Sequence, residues 1–209
     1  ATLQTIRSAA EELGLGDSVG VLADLCGPKV RCNGFAAPGT IMLTAGESVV
    51  LEASDDDGEP GIIRTGIYDL VAELSVGHRV LLDDGTMALE VHRRESENRV
   101  VCEVKVGGVL KANKGINVPD TRLLLDGLNE ANQADLQFAI DQGIDYIAAS
   151  FMQTAQDVEA IRRFLGERGG ETIPIIAKIE NREGLRNLDA IIDAADGTMV
   201  ARGDLAVEI

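Results

Sequence analysis

The stretch DYIAASFMQTAQDVEAIRRFLGERGGETIPIIAKIE, Asp145–Glu180, decides the fold. It reads as strand, helix, strand. Asp145 to Ser150 holds a short apolar run, as a buried strand does. Thr154 is a natural N-cap, and Val158, Ile161 and Leu165 then share one helical face that Gly169 ends. Ile173 to Ile179 is the next strand. Downstream, Leu185, Leu188, Ile191 and Ile192 predict a helix, and Thr198 to Ala201 a strand. Upstream, a helix from about Glu130 to Gln142, capped by Asn129 and stopped by Gly143, leads into Asp145. Strands recurring roughly every 25 residues, with a helix between each pair, are the mark of a parallel α/β sheet.

Nearer the N-terminus, Ile6, Ala9, Ala10 and Leu13 recur at helical spacing, and Gly14 and Gly16 stop the helix. Val19 to Ala23 predicts another buried strand, closed by the turn Asp24-Leu25-Cys26-Gly27-Pro28. From Cys32 to Pro119 the texture differs. Ile41-Met42-Leu43, Ser48 to Leu51, Arg79 to Leu82 and Val100 to Val106 are short runs separated by Gly, Asp and Asn. Asp83-Asp84-Gly85 between two such runs predicts a hairpin. Ser54 to Gly61 is a polar loop. This segment reads as an all-β sandwich or barrel of roughly 85 residues. One α/β strand precedes it and three follow, so it reads as an insertion into an α/β domain.

Composition bounds the function. The 209 residues are 45% hydrophobic, which excludes wholesale disorder. No apolar run reaches the roughly 18 residues of a membrane span. Ala1 to Gly14 carries Glu11 and Glu12 on an amphipathic pattern and does not resemble a signal peptide. The missing initiator Met leads us to expect a trimmed start. Asp and Glu number 35 against 19 Lys and Arg, a net charge of −16. That argues against nucleic-acid and membrane-surface partners. An anionic substrate would then need a local group of cations or a bound metal. Cys26, Cys32 and Cys102 form no CxxC pair, argue against zinc, and suit a reducing cytoplasm.

Several residues could carry chemistry. Lys178 and Glu180 stand two apart near the end of a strand, so they share a face where parallel folds bind ligands. A structural ion pair is the competing reading. Asp204 follows the next strand after Gly203, which allows close approach of a ligand to the backbone. Glu180 and Asp204 could hold Mg²⁺ or Mn²⁺, since hard cations take carboxylates and keep several waters. Equally, Asp204 could cap a turn. Lys29 and Arg31, beyond the Gly27-Pro28 turn, could aim two cations at one anion, or form a solvated strand end. Lys114 could touch phosphate or belong to a plain basic turn.

Taken together, these segments resemble pyruvate kinase. They are Asp24-Leu25-Cys26-Gly27-Pro28-Lys29-Val30-Arg31, Asp83-Asp84-Gly85, Asn113-Lys114-Gly115-Ile116-Asn117, Ala149-Ser150-Phe151, Ile176-Ala177-Lys178-Ile179-Glu180-Asn181 and Met199 to Ile209. They stand in that family's order and spacing over essentially the whole chain. The resemblance implies part of a (β/α)₈ TIM barrel, the third to sixth strands, over residues 1–31 and 118–209. A small all-β barrel domain would be inserted at 32–117 as a lid. It implies transfer of phosphoryl from phosphoenolpyruvate to ADP, giving pyruvate and ATP in glycolysis. Lys178 would neutralise charge on the transferring phosphoryl and the enolate. Glu180 and Asp204 would hold Mg²⁺, with Lys178, Gly203 and Asp204 on the substrate. Arg31 and Lys114 would contact nucleotide phosphates, and Asp84 the nucleotide-bound metal. Asp24, Leu25, Lys29 and Ser150 would form the monovalent-cation position.

The chain departs from the pattern in places. Many relatives carry Thr and Glu where Leu25 and Lys29 stand here, and the Glu belongs with K⁺. Lys29 resembles the potassium-independent branch, its ammonium replacing the ion. The resemblance also implies that further barrel strands with substrate contacts lie outside these residues. We therefore expect negligible turnover by the 209-residue segment alone, and a cytoplasmic homo-oligomer for the full-length form. The alternatives are a non-catalytic binding or structural fragment with the β module as its folded unit, or another barrel enzyme acting on phosphoenolpyruvate or pyruvate.

Overall fold

The computed structural model describes residues 2–123 and 127–209. Along the chain run α1 (Thr2–Glu12), β1 (Leu22–Leu25), β2 (Thr40–Leu43), β3 (Ser48–Ala53), β4 (Ile62–Thr65), α2 (Tyr68–Glu73), β5 (Arg79–Leu82) and β6 (Met87–Ser96). Then come β7 (Arg99–Val106), β8 (Gly108–Lys111), β9 (Ile116–Asn117), α3 (Glu130–Asp141), β10 (Tyr146–Ala149), α4 (Ala155–Gly166) and β11 (Ile175–Ile179). The last elements are α5 (Arg182–Arg186), α6 (Leu188–Ala194), β12 (Gly197–Val200) and α7 (Arg202–Glu208). The described residues gather into two compact units. The first takes in residues 2–28, 127–179 and 184–200, and the second 29–123, 180–183 and 201–209. No described helix is long and apolar enough to cross a membrane.

The first unit is built on a parallel sheet in the order β1-β10-β11-β12. Its inner strands are apolar because helices cover them. Ile147, Ala149, Ile175, Ala177 and Ile179 are buried with Leu136 of α3 and Val158, Ile161 and Leu165 of α4. Helix α3 starts where Asn129 accepts the Asn132 N–H. Helix α4 starts at a full capping box, Thr154 and Asp157 each accepting the other's backbone N–H. Strand β1 begins later than the apolar run suggests. The Asp145 carboxylate takes the Val21 N–H at 2.6 Å, so the ladder opens at Leu22, opposite Tyr146. The single helix expected from Leu185 to Ile192 is two, α5 and α6, parted at Asn187, whose side-chain amide donates to the Gln153 carbonyl at 2.8 Å. The α1 stripe is not a core face among the described residues: Ala10 is buried, whereas Leu13 is 73% exposed.

The second unit is mainly antiparallel. Its larger sheet runs β4-β3-β7-β6-β5-β9, and β2 pairs with β8 in a separate ribbon. The β5–β6 hairpin turns on Asp83, Asp84 and Gly85, all in the left-handed region. Bulges interrupt the β6–β7 register at three places, which increases local twist. Leu51, Ile63, Leu70, Val80, Leu89 and Val100 lie in its core. Helix α2, with only six residues, is too short to show a period in the sequence. The two cores have no residue in common.

Candidate functional site

In the first unit, three adjacent parallel strands bring Asp24, Ser150 and Lys178 together at their C-terminal ends. The Lys178 ammonium donates to Ser150 Oγ at 2.7 Å and to the two Asp24 oxygens at 3.0 and 3.2 Å. Ser150 Oγ donates in turn to Asp24 Oδ1 at 3.2 Å. The lysine side chain is only 12% exposed, so its charge is partly desolvated and held in place. Ser150 itself is buried. Gly27 explains how the turn after β1 fits here. Its φ is +65°, and a Cβ would stand 2.7 Å from the Ser150 carbonyl oxygen.

The second unit gathers the other cations and carboxylates. Lys29 donates to Asp204 Oδ1 at 2.7 Å and lies 3.7 Å from Asp84 Oδ1. Lys114 pairs with Asp83 at 2.8 Å, which holds its ammonium above the ordinary lysine range. Arg31 donates to the Asn113 carbonyl at 3.0 Å, and Arg31 and Gly115 face each other across an isolated bridge. The Asp83 N–H donates to the Gly115 carbonyl at 3.0 Å, tying the hairpin turn to the Lys114 segment. Asp84 stands 69% exposed at the tip.

Glu180 follows β11 directly and is buried, at 1% exposure. Asp204 lies in the first turn of α7 and is half-buried. Gly203 is exposed, and a Cβ there would meet nothing within 4 Å, so among the described residues no packing demands the glycine. Among the described residues, no group of three or more His, Cys, Asp or Glu side chains could hold a metal. Leu25 is a core residue of the first unit.

Some participants escaped the sequence reading. Asp83 appeared only as a turn residue, yet it holds Lys114. Glu208 accepts from the Asn117 amide at 2.8 Å, and its carbonyl accepts from Arg182 at 2.7 Å. Burial pushes the Glu208 carboxyl above the usual carboxylate range, partly opposed by Asn117. Its place on the face of α7 turned towards Asn117 had no signal in the local pattern.

A family model for the barrel domain of pyruvate kinase matches residues 1–209. The chain belongs to the pyruvate kinase family. It is 45% identical over 208 residues to a pyruvate kinase of Geobacillus stearothermophilus, covering 99% of this chain and 35% of the relative. To that of Bacillus licheniformis it is 42% identical, covering 100% and 35%. To that of Mycobacterium intracellulare it is 40% identical, covering 100% and 43%. The chain thus spans about a third to two fifths of these relatives' length.

Proposed function

We propose that these residues carry part of the active site of a pyruvate kinase, which moves phosphoryl from phosphoenolpyruvate to ADP. The observation that supports it most is Lys178, held by Asp24 and Ser150 at the C-terminal ends of three adjacent parallel strands. On this reading residues 1–31 and 118–209 belong to a (β/α)₈ barrel, and 32–117 to an inserted β domain. Lys178 balances charge gathering on the phosphoryl and enolate oxygens. Fixed in advance, it needs little reorganisation as that charge develops. Arg31 and Lys114 contact the nucleotide phosphates, and Gly203 leaves its backbone open to substrate.

Glu180 and Asp204 are the residues to hold Mg²⁺, with Mn²⁺ as a substitute. Two hard carboxylates, with no group of three or more His, Cys, Asp or Glu side chains able to hold a metal among the described residues, suit an ion that keeps waters and takes substrate oxygens. When bound, the ion supplies positive charge to phosphate and carboxylate oxygens. Lys29 supplies a cation in place of K⁺, at the monovalent-cation position that likeness to the family assigns to Asp24, Leu25, Lys29 and Ser150. By likeness to the family, the natural-length protein works in the cytoplasm as a homo-oligomer.

The test is a coupled assay following pyruvate from phosphoenolpyruvate and ADP, with the protein in its natural length. Lys178→Met should lower kcat by at least about 10²-fold with a smaller change in KM. The unaltered rate should hold when K⁺ is exchanged for tetramethylammonium at constant ionic strength. An unchanged kcat in Lys178→Met would remove the proposal's foundation.

A further inference from the structure

We propose that Lys29 is an internal counter-ion that competes with the divalent cation for Asp204. This rests on reading Glu180 and Asp204 as the cation's ligands. The Lys29 ammonium sits 2.7 Å from Asp204 Oδ1, the length of a charge-assisted hydrogen bond. The two side chains are 21% and 26% exposed, so water screens the pair only in part. A divalent cation must take an oxygen of this carboxylate at about 2.0–2.1 Å. It then faces a like charge at close range. Binding therefore requires the ammonium to leave Asp204.

A destination is close by. Asp84 Oδ1 lies 3.7 Å from the same ammonium. Gly115 keeps the lysine stem's surroundings open, since a Cβ there would come within 3.3 Å of Lys29 Cε. The four-carbon stem of lysine also moves its point charge more freely than a planar guanidinium would allow. Lys29 thus holds down the cation affinity of Asp204, and cation binding frees its ammonium. By linkage, each favours the other's change.

The experiment is Mn²⁺ binding by the natural-length protein, read from the EPR signal of free Mn²⁺ in a K⁺-free buffer. Lys29→Met should lower the Mn²⁺ Kd by about three- to fivefold. Asp204→Asn should raise it by about tenfold or more. If Asp204→Asn leaves the Kd unchanged, the cation-site reading falls, and this inference with it. If Asp204→Asn weakens binding but Lys29→Met does not tighten it, only the competition is overturned. A second measurement needs no substitution. Trace acetylation by acetic anhydride, mapped by mass spectrometry, should modify Lys29 several-fold faster with Mn²⁺ than without it, relative to Lys111. A flat or slower Lys29 rate would refute the displacement.

Discussion

Asp120 accepts the Arg79 backbone N–H at 3.1 Å and two guanidinium bonds at 2.8 Å. Those bonds, the side-chain ones above all, bring its carboxyl down to about 2. A lowered carboxylate pKa stabilises the fold above the unfolded value, and that contribution is lost as pH falls from about 4 to about 2. Arg79 is 48% exposed, so the pair is worth far less than the shift alone implies. Asp120→Asn should cost about 1 kcal/mol at pH 7 and clearly less at pH 2, where the carboxyl is about half protonated, read from urea unfolding at the two pH values. At this scale the sequence revealed residue types better than partners. Lys178 was legible as a strand-end cation, but its partner Asp24 lies 154 positions away. No local pattern encodes a pairing over that separation.

Helix and strand identities were the most readable features, because each rests on a local period or a local cap. Thr154 and Asp157 announce α4 and close a reciprocal capping box in the structure. Thr154→Ala removes an acceptor for an otherwise unpaired N–H and should lower stability by about 1 kcal/mol, seen as a reduced thermal midpoint. Thr154→Ser should restore most of it. Boundaries were less readable because they answer to distant groups. The Asp145 side chain delays β1, and the Asn187 side chain marks the break between α5 and α6. The β5–β6 hairpin was legible because Asp-Asp-Gly tolerates three successive left-handed residues.

The chain's two separate cores give the whole molecule a testable property. Leu89 is fully buried in the core of the second unit. Leu89→Ala leaves a cavity and should destabilise that unit by about 2–5 kcal/mol. Hydrogen exchange should then accelerate in β6 and β7 while amides of β10 and β11 keep their protection. Equal acceleration in both would mean that the cores open as one.

By itself the sequence determined the alternation of strands and helices around Asp145–Glu180, the β texture of the middle segment, and which residues carry the cations and carboxylates. Periodicity, caps and residue type are properties of neighbours along the chain, so they can be read there. Only the tertiary structure decided which charges meet. It seated Lys178 on Asp24 and Ser150, Lys114 on Asp83, and Lys29 on Asp204. Those pairings depend on strand order and register, which join residues far apart in sequence and are settled by burial of the cores.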